Sequence, residues 1–121
     1  MVGSRASLGN GLRRNARVIS AVGHMKPPAF IDGARVLEWA WSRVPFGYVL
    51  DSGAPIYGLD VCRYDGETRF YRFSCNERWQ TEQDDVYDSL EEAKLWLPKQ
   101  YQEVFAEWHV LPNLSSDLSL E

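Results

Sequence analysis

The chain has few of the residue types on which most catalytic sites depend. Only two histidines and two cysteines occur among its 121 residues. No run approaches the roughly 18 apolar residues that a membrane-spanning helix needs. Gly9-Asn10-Gly11 lacks the third glycine and the preceding strand of a phosphate-binding loop. The sequence therefore supports neither a membrane function nor nucleotide binding, and we expect no cofactor.

The two cysteines, Cys62 and Cys75, fall on the two predicted strands of one hairpin. We expect them about six or more residues apart along the ladder, too far for a disulfide at roughly 3.3 Å per residue. Free thiols suit a reducing cytoplasm. A zinc site with His109 is not expected, because no short paired ligand motif is present. We interpret His109 as a partly exposed strand histidine, although a nucleophilic site would have to use it.

Basic and acidic residues are distributed unevenly. Residues 1–25 hold four arginines and no acid, whereas the other 96 residues hold nine basic and 17 acidic residues, a net charge of −8. An acidic body repels phosphate backbones and attracts basic surfaces. The composition therefore predicts a basic protein partner and no nucleic-acid binding.

The domain organisation follows from the same distribution. We predict a basic appendage over residues 1–25, one domain over residues 26–111 and a flexible tail over residues 112–121. The appendage has three interpretations: a targeting peptide, a disordered arm, or non-native residues before a start at Met25. A secretory signal is not expected, because its apolar run, residues 18–22, is too short.

Alternating apolar and polar residues predict several strands. Residues 34–42 form the first, and residues 47–50 form a short extended piece. Residues 79–87 predict a polar edge strand, or one interrupted near Asp84-Asp85. Residues 104–111 predict a closing strand.

The clearest hairpin joins residues 56–63 to residues 67–75, with two possible registers. A two-residue Asp65-Gly66 turn would mix polar and apolar side chains on one face: Asp60, Cys62, Tyr71 and Phe73. A three-residue loop would pair Arg63 with Glu67 and collect a largely apolar face: Tyr57, Leu59, Val61, Tyr71, Phe73 and Cys75. We favour the second register.

A capping box at Ser89-Leu90-Glu91-Glu92 predicts that a helix begins at Leu90. Pro98 should end this helix at Leu97 or kink it there. The predicted fold is therefore α+β, with an antiparallel sheet of four to six strands and one C-terminal helix packed on one face.

Acidic residues are densest around the start of this helix. Asp84, Asp85 and Asp88 precede it, and Glu91 and Glu92 lie in its first turn. The simplest interpretation is that they favour the positive end of the helix dipole. They could alternatively bind a cation, act as an acid/base pair, or dock a basic partner, but the spacing of a calcium loop is absent.

Five tryptophans are many for a chain of this length. We expect most of them in the core. Trp39 and Trp41 share one face of their predicted strand, and a small sheet cannot easily bury every ring. An exposed aromatic patch with acidic neighbours would form an interaction surface. The predicted binding residues are therefore Trp39, Trp41, Asp84, Asp85 and Asp88.

Three segments carry a resemblance: residues 35–40, residues 73–79 with a Cys-x-x-x-Trp turn, and residues 86–94 with a Tyr-Asp-Ser-x-Glu-Glu-Ala-Lys helix start. In this order they resemble a group of small uncharacterised bacterial proteins. The resemblance covers about two thirds of the chain and implies neither an activity nor catalytic residues.

The sequence leads to one main functional hypothesis. We expect a non-enzymatic, cytoplasmic binding protein, of the bacterial immunity or inhibitor type, that docks a basic partner. The alternative is a small enzyme or ligand binder that uses His109 or the acids between Asp84 and Glu92. A third interpretation is a subunit of a larger assembly, and the sequence leaves the oligomeric state open.

Overall fold

The computed structural model describes residues 25–112, and the predictions for residues 1–24 and 113–121 lie outside the described residues. Within these described residues, one α-helix, α1 (Leu90–Leu95), and one 3₁₀ turn (Lys99–Tyr101) accompany the strands. The strands are β1 (Phe30–Ile31), β2 (Ala34–Trp41), β3 (Gly47–Tyr48), β4 (Pro55–Ile56), β5 (Gly58–Arg63), β6 (Phe70–Cys75), β7 (Thr81–Tyr87) and β8 (His109–Val110).

Six of these strands form one antiparallel sheet. Its order is β1-β2-β5-β6-β7, and β8 also pairs with β2. Since β5 occupies one side of β2, β1 and β8 share the other side. The strands β3 and β4 form a separate pair. The predicted α+β class, with a sheet of several strands and one helix, is confirmed.

The two faces of the sheet carry different side chains because successive residues point to opposite sides. One row across β2, β5, β6 and β7 consists of Trp39, Asp60, Phe73 and Asp84. We call this side the aromatic face. The next row consists of Glu38, Val61, Arg72 and Asp85, and it lies on the side that α1 covers, which we call the helix face.

The favoured register of the β5–β6 hairpin is wrong. Cys62 pairs with Tyr71 and Asp60 with Phe73, so the pair Arg63–Glu67 does not form. The mixed face that we disfavoured does exist, but the two-residue Asp65-Gly66 turn would have paired Cys62 with Arg69, so neither of the two predicted registers is correct. Residues 58–62 are all buried because both faces of the sheet are covered, and therefore alternation could not fix the register of this strand.

The cysteines are closer than predicted but remain free thiols, as expected. Cys75 pairs with Gly58, which is four residues from Cys62 along β5. At about 3.3 Å per residue this separation still exceeds the reach of a disulfide.

Other predicted elements differ in extent. A bulge between Val36 and Glu38 shifts the register of β2, so that Val36 and Trp39 share the aromatic face. The edge strand β7 runs without interruption through Asp84 and Asp85. The closing strand shrinks to two residues, β8.

The helix begins where predicted and ends earlier. The hydroxyl of Ser89 accepts a hydrogen bond from the Glu92 amide at 3.1 Å, which caps the first turn. The helix ends at Leu95 instead of Leu97. The residue before a proline is disfavoured in helical conformation, so Pro98 shortens the helix by acting on Leu97.

Each face has its own apolar core. On the aromatic face Trp79 lies against Gly58, where a β-carbon would stand 2.7 Å from the indole ring. On the helix face Gly47 lies against the backbone of Gln100, and Tyr101 is fully buried beside it. No helix within residues 25–112 is long and apolar enough to cross a membrane.

Candidate functional site

The excess of negative charge belongs to one part of the described chain. Residues 25–80 carry seven acidic and seven basic residues, whereas residues 81–108 carry eight acidic and two basic residues. The second range comprises β7, α1 and the segment that returns to the sheet. A basic partner would therefore be attracted to this part of the molecule.

The acids of β7 lie along an edge of the sheet. Asp84 and Asp85 are exposed and point to opposite faces, Asp84 to the aromatic face and Asp85 to the helix face. Asp88 is exposed on the connection to α1. Of these three predicted binding residues, Asp85 already has a partner, because it accepts a hydrogen bond from Arg72 at 3.0 Å.

Arg72 fixes the helix to the sheet. Its guanidinium is fully buried, and Nη1 donates to the carbonyls of Ala93 and Trp96 at 3.2 and 3.1 Å. These carbonyls belong to the C-terminal end of α1, where the helix dipole favours a cation. The guanidinium also lies 5.0 Å from the centre of the Tyr87 ring. Arg72 thus holds β7 and α1 in one arrangement.

An apolar groove lies between α1 and the segment that follows the 3₁₀ turn. It has a volume of about 440 Å³. Its apolar lining consists of Leu95, Leu97, Val104, Phe105, Ala106 and Trp108. Leu95 is 73% exposed and Phe105 is 87% exposed, while the adjoining Trp96 is 61% exposed. Such a concentration of exposed large apolar side chains is typical of an interaction surface.

The charge beside the groove is predominantly negative. Glu91 lines it, and Glu103 and Glu107 are exposed on the segment that forms its other side. The one basic residue in its lining, Lys94, donates to Glu38 at 3.0 Å and lies 3.8 Å from Glu91. Its positive charge is therefore balanced within the protein. We call the apolar groove together with Glu91, Glu103 and Glu107 the acidic groove.

The predicted tryptophans lie elsewhere. Trp39 is buried on the aromatic face, and Trp41 is half-buried beside it. Both rings contact Trp79, with centroids 6.4 and 5.6 Å apart. Trp39 therefore forms part of a core, and the structure does not unite these two residues with Asp85 and Asp88 in one surface.

His109 is exposed on β8, where its ring lies 4.7 Å from that of Trp39. This is the partly exposed strand histidine that the sequence analysis described. Within residues 25–112, no three histidine, cysteine or acidic side chains are grouped so that they could hold a metal ion.

A buried carboxyl on the aromatic face has a strongly altered acidity. Asp60 is fully buried, and burial raises its pKa to about 7, although hydrogen bonds with Cys75 and Cys62 partly oppose the rise. The Cys75 thiol donates to Asp60 at 3.4 Å. Burial also raises the pKa of both thiols, so they are poor nucleophiles. Strongly perturbed acids often mark functional sites, but nothing exposes this one to a substrate.

Sequence reasoning missed the residues that form the groove. The alternation in residues 104–111 was visible, and it does place Val104, Ala106 and Trp108 inward. The same alternation implies that Phe105 points outward with Glu107, and this was the available indication of the groove.

Comparisons with known proteins found no match: no protein family, no curated protein and no solved structure is significantly similar to this chain. The resemblance to a group of small bacterial proteins therefore stays a prediction.

Proposed function

We propose that the chain is a non-enzymatic binding protein that docks a basic protein partner through the acidic groove. One observation carries the proposal: an exposed apolar groove coincides with the part of the chain that holds the excess acidic residues. The two properties serve different steps of binding. Negative charge speeds encounter with a basic surface, and apolar anchors slow dissociation.

The expected partner presents basic residues around a protruding apolar side chain. Phe105 and Leu95 would bury their exposed surface against that side chain, and Glu103 and Glu107 would meet the basic rim. A bacterial toxin or nuclease inhibited by this protein has this chemistry. We propose the bacterial cytoplasm as the compartment, since Cys62 and Cys75 are free thiols.

Site-specific photo-crosslinking in host cells tests the proposal. A photoreactive phenylalanine analogue replaces Phe105 in one strain and Tyr48 in another. Tyr48 is a matched control, because it is a 54% exposed aromatic residue on β3, outside the groove. We expect a covalent adduct from position 105 with a protein of high isoelectric point, and no such adduct from position 48.

Two results would overturn the proposal. One is an equal yield of the same adducts from both positions, and the other is an adduct from position 105 whose partner is itself acidic. Repeating the crosslinking in cell extract at several salt concentrations separates the two components of binding. Attraction between opposite charges weakens with salt, so the yield of the predicted adduct should fall as salt rises.

A further inference from the structure

The two edges of the sheet are closed to different degrees. The outer side of β2 is occupied by β1 and β8, and between these strands the backbones of Val36 and Leu37 also form hydrogen bonds of 2.9 Å. The outer side of β7 pairs with no strand within residues 25–112. The seven residues of β7 therefore form an open edge.

An open edge strand can accept a further strand. Every second residue of β7 directs its N–H and C=O groups away from β6, toward a potential neighbour. Residues 83–87 pair with β6 in an unbroken register, whereas a shift interrupts the ladder next to Cys75. Neither proline nor lysine, which commonly protect such an edge, occurs in β7. A partner strand would therefore meet five regularly paired residues.

The side chains of β7 determine which strand can pair with it. Three residues of β7 are acidic, and none is basic. Asp85 is already paired with the buried Arg72. Asp84 is exposed and forms no ion pair or hydrogen bond with the described residues. A second copy of β7 would bring carboxylates against carboxylates, which is unfavourable, so the edge does not suit a second copy of the chain.

The surroundings of Asp84 specify the partner further. Val86 lies on the same side of the sheet, two positions along the strand, and it is 44% exposed beside Tyr71. Opposite charges and apolar pairs on neighbouring strands both stabilise a sheet. A matching strand would therefore place a basic side chain beside Asp84 and an apolar side chain beside Val86, two residues apart.

We propose that β7 binds an extended basic segment of another protein by strand addition. Backbone hydrogen bonds supply the affinity, whereas Asp84 and Val86 select a segment in which basic and apolar residues share one face. The residues of β7 do not line the acidic groove. The inference therefore does not depend on the partner of that groove.

Amide hydrogen exchange of the full chain, measured by NMR with two synthetic peptides, tests this inference. The first peptide is Thr-Lys-Thr-Val-Thr-Lys-Thr with both ends blocked. The second has the same sequence and charge, but its five internal residues are N-methylated and cannot donate backbone hydrogen bonds. At saturation we expect the first peptide to slow exchange of the outward-facing amides within residues 83–87 about tenfold, and the second to leave it unchanged.

Asp84→Asn should weaken binding of the first peptide about threefold, because it removes the opposite charge. The matched control is Asp51→Asn, since Asp51 is exposed and lies outside β7, and its affinity should equal that of the unaltered protein. Unshifted resonances elsewhere establish that both variants are folded.

Four results would overturn the inference. One is unchanged exchange within residues 83–87 at millimolar peptide, and another is equal slowing by both peptides, which would indicate attraction between charges alone. A third is equal affinity of the two variants. The fourth is slow exchange of the outward-facing amides before any peptide is added, together with a dimeric mass, which would make a second copy the occupant.

Discussion

The two faces of the sheet use polar groups in opposite ways. On the aromatic face Asp60 is buried among aromatic rings and thiols, and one of its carboxyl oxygens has no hydrogen-bond partner among residues 25–112. On the helix face Arg72 is equally buried, and its Nε also lacks a partner among the described residues, but its two terminal nitrogens donate to two helix carbonyls and to Asp85. On the aromatic face the charged form of Asp60 is unfavourable, whereas on the helix face the charge of Arg72 positions α1.

This contrast indicates where function should be sought. The chemically unusual groups of the aromatic face are buried. Their altered pKa values therefore affect stability, and a substrate cannot reach them. The helix face carries the candidate binding surface, the acidic groove. Altering each face in turn should therefore change different properties of the protein.

Asp60→Asn should have the largest effect on stability. The unfolded carboxyl has a pKa near 3.8 and the folded one near 7, so the folded state binds the proton more tightly. The stability that this tighter proton binding contributes is fully present below pH 3.8 and is lost as pH rises through 7. The difference between the two pKa values corresponds to about 4 kcal/mol in the free energy of unfolding. Asparagine cannot ionise, so the stability of the variant should not decline in this way as pH rises.

Urea unfolding at pH 4, 6 and 8 measures this effect. The control is Asp51→Asn. Because Asp51 is exposed, this substitution should leave the decline of stability with pH unchanged. If Asp60→Asn loses as much stability between pH 4 and pH 8 as the unaltered protein does, Asp60 is not the titrating group and the contrast between the faces fails.

Arg72→Met should have the next largest effect on stability. It keeps much of the side-chain volume but removes the donor to the carbonyls of Ala93 and Trp96. Asp85 is 44% exposed at its side chain and can regain water, which limits the loss. We expect a decrease of about 3 kcal/mol in the free energy of unfolding.

Hydrogen exchange shows whether the change is local. Amides of α1 should lose protection in Arg72→Met before those of β5 do, since the helix loses its attachment. Arg43→Met, an exposed replacement of the same kind, should change neither measurement. Uniform loss of protection would mean that Arg72 supports the whole sheet instead of the helix.

Two glycine substitutions compare how tightly the faces are packed. In Gly47→Ala the new β-carbon would overlap the carbonyl oxygen of Gln100, and a backbone atom cannot rotate away. In Gly58→Ala it would meet the ring of Trp79, which can shift. Thermal denaturation should show a loss of about 3 kcal/mol for the first and about 1 to 2 kcal/mol for the second.

A third variant separates packing from backbone conformation. In Gly53→Ala no atom of the described residues would lie within 4 Å of the new β-carbon, but the φ angle is +74°. It should lose about 1 kcal/mol from conformation alone. If Gly47→Ala is no worse than Gly53→Ala, the contact with Gln100 is not a tight one.

Much of the fold could be predicted, because local chemistry determined it. The capping hydroxyl of Ser89 set the start of α1, and alternation located β2 and β7. The register of the β5–β6 hairpin could not be predicted, because β5 is buried on both faces and its polar residue, Asp60, is enclosed with thiols. A rule that separates polar from apolar faces fails for such a strand.

The candidate site was only partly predictable. Charge counting identified the acids near α1, since their sequence positions are close together. The exposure of Phe105 depends on how the 3₁₀ turn returns the chain to the helix face, which no local pattern fixes.

Calorimetry with the partner that crosslinking identifies measures most directly whether the helix face binds a basic protein. Phe105→Ala should lower the affinity at least tenfold, with little change in thermal stability because the ring is exposed. Leu50→Ala removes another exposed apolar side chain, 77% exposed and outside the groove, and should leave the affinity unchanged. Equal affinities of the two variants for the partner would contradict binding at the acidic groove.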